Sequence, residues 1–228
     1  MAQAIEASRA ALEVQTQADL PREWPVTEMI LGKALGQQAR LNSGPQAMKF
    51  LADAESAFES VVQALPNSQD AVWALADIEH EELFRFDRAF QLDQTLVKID
   101  PGVPSSLNFE EANLAVSNFS GCIEHAATIT DQGLSASDSL GRDLIKFACQ
   151  AGAGKWAAAL LTQKAISAST SALQKDYLAF AGTLHYLWAS PAFERGRASW
   201  VALFESAEKG DGAAMADALQ KLDQVMQH

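Results

Sequence analysis

"KFLADAESAFESVVQALP", Lys49 to Pro66, is echoed by "FRFDRAFQLDQTLVKIDP", Phe84 to Pro101. Both place a bulky residue third (Leu51, Phe86), an alanine sixth (Ala54, Ala89) and a proline last, at a constant offset of 35 residues. A third copy, Ser117 to Leu134, keeps Phe119 and a small Cys122 but loses the proline. A fourth, Gly154 to Ser171, has Trp156 and Ala159, and the offsets become 33 and 37. Periods of this size mark stacked helical hairpins, because one hairpin cannot hide its apolar face without a neighbour. The small sixth residue allows two helices to approach closely. The bulky third residue fills the space at the turn.

The individual helices are legible as well. Met48, Leu51, Ala54, Phe58, Val61, Val62 and Leu65 recur at spacings of three and four, which places them on one helical face. Ser43-Gly44-Pro45 suits a helix start, where proline's missing N–H is harmless, and Pro66 forces an end. Partner helices precede each copy: one from Trp24 through Leu35, one around Val72, Trp73, Leu75 and Ile78, then "LNFEEANLAVS" and "SLGRDLIKFACQ". Ser171 to Trp188 reads as a long helix. A last hairpin breaks at Gly210-Asp211-Gly212. The expectation is all-α, about eleven helices and no strand. One domain spans 1–228, with an N-terminal helix in 1–20, four hairpins in 21–171 and degenerate capping helices in 172–228.

Trp73, Phe86, Ala89 and Pro101, with Leu31-Gly32, Ala54, Phe58 and Pro66 in the first copy, resemble tetratricopeptide repeats. Trp24 to Ala54 looks like a longer bacterial variant with an extended turn at Ala39–Pro45. The resemblance implies a right-handed superhelix (an α-solenoid) whose concave face, lined by the first helix of each hairpin, binds a peptide or protein. The carboxylate clamp of Lys and Asn found in some members is not reproduced. The corresponding faces carry Met29, Lys33 and Gln37, then Ala74, Ile78, Glu81 and Glu82, then Leu107 and Glu111. Met29, Lys33, Gln37, Ile78, Glu81, Glu82 and Glu111 are therefore the candidate partner-binding residues. Their mixed apolar and acidic character suits a basic or amphipathic segment.

Charge and motifs narrow the alternatives. The net charge is −12, with −8 in residues 1–100 and −4 in 101–228. An acidic surface disfavours nucleic acid and anionic membrane. "CQAGAGKWAAALL", Cys149 to Leu161, imitates a phosphate loop, but Cys149 stands at the first glycine position and Trp156 follows Lys155 where a hydroxyl is needed. Gly152 and Gly154 are better placed to end a helix and reverse the chain. In "IEHEELFRFD" the second histidine of a zinc-protease HExxH is replaced by Phe84, and Asp77 with His80 is half of a di-iron motif at most. His125 and His185 lack a carboxylate at ligand spacing. No cofactor, metal or catalytic residue is assigned. Cys122 and Cys149, with no CxxC, read as buried free thiols. Trp24, Trp73, Trp156, Trp188 and Trp200 read as core between hairpins.

The expected function is a non-catalytic scaffold or adaptor, cytoplasmic because no apolar signal segment opens the chain. The alternative is an all-α sensor with a small-molecule pocket around Phe180, His185, Tyr186 and Trp200.

Overall fold

The computed structural model describes residues 2–130, 132, 134–168 and 191–226. Helices dominate, and the described residues contain no strand. They are α1 (Ala2–Leu12), α2 (Glu23–Arg40), α3 (Gly44–Ala64), α4 (Gln69–Asp77), α5 (Phe86–Ile99), α6 (Val103–Ala115), α7 (Phe119–Ala126), α8 (Ala136–Gly152), α9 (Trp156–Ala168), α10 (Pro191–Arg195), α11 (Arg197–Glu208) and α12 (Gly212–Met226). A π-helical turn, Ile78–Glu82, extends α4. The helix expected over Ser171 to Trp188, with Phe180, His185, Tyr186 and Trp188, lies outside the described residues.

Helices adjacent in sequence pack on one another: α2 on α3, α4 on α5, α6 on α7, α8 on α9, and α11 on α12. Each of these pairs turns within three residues. Four turns have a residue of positive φ in the middle, namely Phe84 (53°), Ser117 (59°), Gly154 (71°) and Gly210 (65°). In the first hairpin the positive φ falls on Gly44 (62°), which opens α3 behind Pro45's helical position.

The hydrogen bonds explain the shared geometry. The N–H groups of Asn118, Lys155 and Asp211 donate to the carbonyls of Asn113, Gln150 and Ser206, each five residues back, at 2.8, 2.8 and 2.9 Å. The preceding N–H groups of Ser117, Gly154 and Gly210 each donate three residues back. This is the Schellman end, which satisfies carbonyls a helix otherwise leaves open. At the α4 turn the N–H of Arg85 instead reaches six residues back, to Glu79 at 2.8 Å. The π turn has inserted one residue, seen in the Leu83 N–H bond to the Ile78 carbonyl at 2.9 Å.

Position for position, Phe86, Phe119 and Trp156 follow the left-handed residue by two and open α5, α7 and α9. Ala89, Cys122 and Ala159 follow it by five. All three, like Ala54 in α3, have 0% exposure. Glycines make further close contacts. A Cβ on Gly32 of α2 would lie 2.5 Å from the Phe58 ring of α3, and one on Gly152 of α8 would lie 2.5 Å from the Phe119 ring. The "GAGK" stretch is thus a hairpin turn, with Gly154 left-handed and Lys155 exposed.

The contacts divide the chain into two compact units, Met1–Pro101 and Gly102–His228. The first is built on Leu31, Leu35, Ala54, Phe58, Leu75 and Ile78. The second centres on Phe147, Trp156, Trp200, Leu203 and Leu222, with Trp156 edge-on to Trp200 at 5.9 Å. Trp156 and Trp200 are core residues as expected, while Trp24 and Trp73 are only half-buried.

The expectation of free thiols is corrected. Cys122 and Cys149 form a disulfide, with Cα atoms 6.1 Å apart, and the described residues contain no free cysteine. Cys122 occupies the position, five residues past the left-handed one, that Ala89 and Ala159 fill in their hairpins. Cys122 has no exposure and faces α8 there, within bonding reach of a second cysteine.

Candidate protein-binding groove

α2 is apolar on two sides. Pro25, Leu31, Ala34, Leu35 and Ala39 are buried. Val26, Met29, Ile30, Lys33, Gln37 and Arg40 follow helical spacing on a second stripe, exposed except for Met29, which is half-buried against the core. Two depressions run along it. One, of about 380 Å³, is walled by Val26, Met29, Ile30 and Lys33 with Leu65, just past the end of α3, and Asp70 of α4. The other, of about 290 Å³, lies between Lys33, Gly36 and Gln37 of α2 and Trp73, Ala74 and Asp77 of α4, with Ile78 behind them. Lys33 lines both, so the two depressions adjoin along α2, and together they are called the groove. Val26, Ile30 and Leu65 keep 58, 50 and 44% of their surface exposed.

Met29, Lys33, Gln37 and Ile78 of the candidate set meet in this groove. Ile78 contributes from the core, where it is buried. The remaining three candidates line neither depression. Glu82 is paired with Arg40, Nε to Oε1 at 2.6 Å, and that arginine also reaches Asp77 at 3.5 Å. Glu81 is exposed on the π turn, and Glu111 belongs to the second unit.

Behind the groove, the π turn directs Glu79 into the first unit, fully buried. Arg88 Nε meets its Oε1 at 2.9 Å and Arg85 Nη1 its Oε2 at 3.4 Å. The same arginines pair with Glu55, at 2.8 and 2.6 Å, and Arg88 also pairs with Glu59. Burial, then the neighbouring Glu55, raises the Glu79 carboxyl above its ordinary range, against the pull of Arg85. The network anchors α3 to α5 through a charge that its partners must match.

The second unit has a different buried acid. Glu110 of α6 is fully buried, and neither carboxylate oxygen has a hydrogen-bond partner. Nδ1 of His125, on α7, lies 3.9 Å from its Oε1 and is itself without a hydrogen bond. Burial pushes Glu110 up to about 8, opposed by Arg142 and Lys146 of α8, and pushes His125 down.

Asp77 is engaged with Arg40, while His80 packs edge-on to Phe86 at 5.4 Å. Among the described residues no three metal-ligating side chains converge. No helix among them is long and apolar enough to cross a membrane. Of the pocket imagined in the C-terminal half, Trp200 is packed in the core, and Phe180, His185 and Tyr186 lie outside the described residues.

Sequence reasoning missed the buried acids and the disulfide. The usable signal for the disulfide was the alignment of Cys122 with Ala89 and Ala159. For Glu79 and Glu110 no local signal exists. Compared with known protein families, characterised proteins and solved structures, the chain matches none.

Proposed function

We propose that this chain is a non-catalytic interaction scaffold that holds an amphipathic helical segment of a protein partner in the groove along α2 and α4. The observation that carries the reading is the second apolar stripe of α2. Val26 and Ile30 stand in water beside a depression, instead of joining the core. An amphipathic helix docks by placing residues at spacings of three, four and seven into such a groove. The mixed polar wall, Lys33 and Gln37 against Asp77, would fix its register.

The repeated turn, the aromatic residue two positions after it and the small residue five after it support a tetratricopeptide-like stack built by repetition. The Cys122–Cys149 bond supports an oxidising compartment over the cytoplasm expected from the N-terminus.

The test is selection of displayed helical peptides on the immobilised chain, followed by fluorescence anisotropy against wild type and Ile30→Asp. Ile30 is half exposed, so the variant keeps its melting temperature. Binding at least tenfold weaker in the variant supports the groove. Equal binding by both proteins removes it.

A further inference from the structure

We infer that Glu110 is an ionisable latch for α6: in its protonated form α6 stays seated on the α7–α8 pair, and its ionisation releases α6 while the disulfide keeps α7 and α8 together. α6 packs on α7 and on α8. Those two helices are joined to each other by Cys122–Cys149, one helical turn from His125 and from Lys146 respectively. α6 has no such tether. Its most buried side chains include polar ones, Ser105, Glu110 and Asn113.

The groups around Glu110 fix the direction of the response. From α7 it faces His125, whose Nδ1 at 3.9 Å is too far for a hydrogen bond and whose ring is held edge-on by Phe109 at 4.9 Å. From α8 it faces Arg142, Lys146 and Asp143. Arg142 is committed to Asp143, at 2.9 Å, and to Ser139. An ionised Glu110 would therefore be a buried charge with neither oxygen hydrogen-bonded, the costliest state for a carboxylate. A neutral carboxyl avoids that penalty.

With α6 unseated, Glu110 returns to its ordinary value of 4.5, while seated it titrates near 8. Between those limits the seated state holds one more proton, so raising pH favours release. The release equilibrium grows about tenfold for each pH unit, and the effect ends above the seated value. His125 acts in the opposite sense. Its seated pKa lies below the ordinary 6.5, so its contribution is confined to the acid side. From pH 6.5 to 8 the Glu110 response is the larger, and the His125 part fades within about one pH unit.

The experiment is hydrogen exchange by mass spectrometry on the full, oxidised chain from pH 6.5 to 8, corrected for the intrinsic exchange rate. Peptides from α6 are compared with peptides from α8, in wild type and in Glu110→Gln. The latch requires α6 protection to fall about tenfold in wild type from pH 6.5 to 7.5 and less steeply towards 8, to stay level in Glu110→Gln, and α8 protection to stay level in both. Level α6 protection in wild type overturns it, as does the same fall in both proteins or an equal fall in α8. Should Glu110→Gln not fold, carbon-13 titration of the wild-type carboxyl decides: a midpoint near 8 supports the latch, and one below 6 overturns it.

Discussion

Cys122 on α7 is bonded to Cys149 on α8, at the one aligned small position that alanine does not fill. The bond closes a separation of 27 residues. Cross-linking a loop of that size restricts the unfolded chain by about 3–4 kcal/mol. Complete reduction, or the pair Cys122→Ala with Cys149→Ala, is expected to lower stability by that amount. Denaturant midpoints with and without reductant measure it. Identical midpoints would show that the bond adds nothing.

Gly32 lies under the Phe58 ring. In an exposed helix, glycine to alanine stabilises by about 1 kcal/mol. Here the new Cβ would fall 2.5 Å from a ring that is itself buried in the core. Gly32→Ala is therefore expected to destabilise, by about 1–3 kcal/mol. A rise in melting temperature would refute the close contact. Gly141, with nothing within 4 Å of its would-be Cβ, serves as the control in which alanine is tolerated.

Ala54 and Ala89 have no exposure and share the sixth place of the two quoted stretches. Leucine at either place overfills a tight helix contact, at a cost of about 1–3 kcal/mol. Thermal denaturation of Ala54→Leu and Ala89→Leu checks both. Unchanged melting in the two variants would contradict the shared register.

Arg88 is the nearer cation to buried Glu79. Arg88→Met strips that carboxylate of its closest partner. The expected loss is about 3 kcal/mol, the low end for a broken buried pair, because Arg85 remains at 3.4 Å. Glu79 is already shifted upward by burial, so the variant regains stability as pH falls and the carboxyl protonates. Urea unfolding of Arg88→Met at several pH values measures this. Adding Glu79→Gln should restore most of the loss, and failure to do so would assign the cost to lost packing.

The features readable from the chain are those that local chemistry fixes. Apolar spacing of three and four sets the helices. Pro45, Pro66, Gly154 and Gly210 set starts, ends and reversals through backbone sterics, and three structural turns share the bonds that such reversals require. The short turns between helical segments imply the pairing of α2 with α3 and of α4 with α5, which the contacts show. Met29, Lys33 and Gln37 could be placed on one face of α2 because a helix keeps its register over the roughly two turns that separate them.

Tertiary contact alone decided the rest. The spacing of α2 does not say which of its two apolar stripes enters the core. Phe58 seated on Gly32 turns one stripe inward and leaves Val26 and Ile30 to the groove. Glu79 and Glu110 carry the same carboxylate as the exposed Glu81. They are buried because one inserted residue in the π turn, and the α6–α7–α8 junction, aim them inward. Cys122 and Cys149 looked like two small apolar residues until the approach of α7 to α8 placed them within bonding distance. Side-chain environment is set by atoms far along the chain, whereas helix and turn are set by near neighbours.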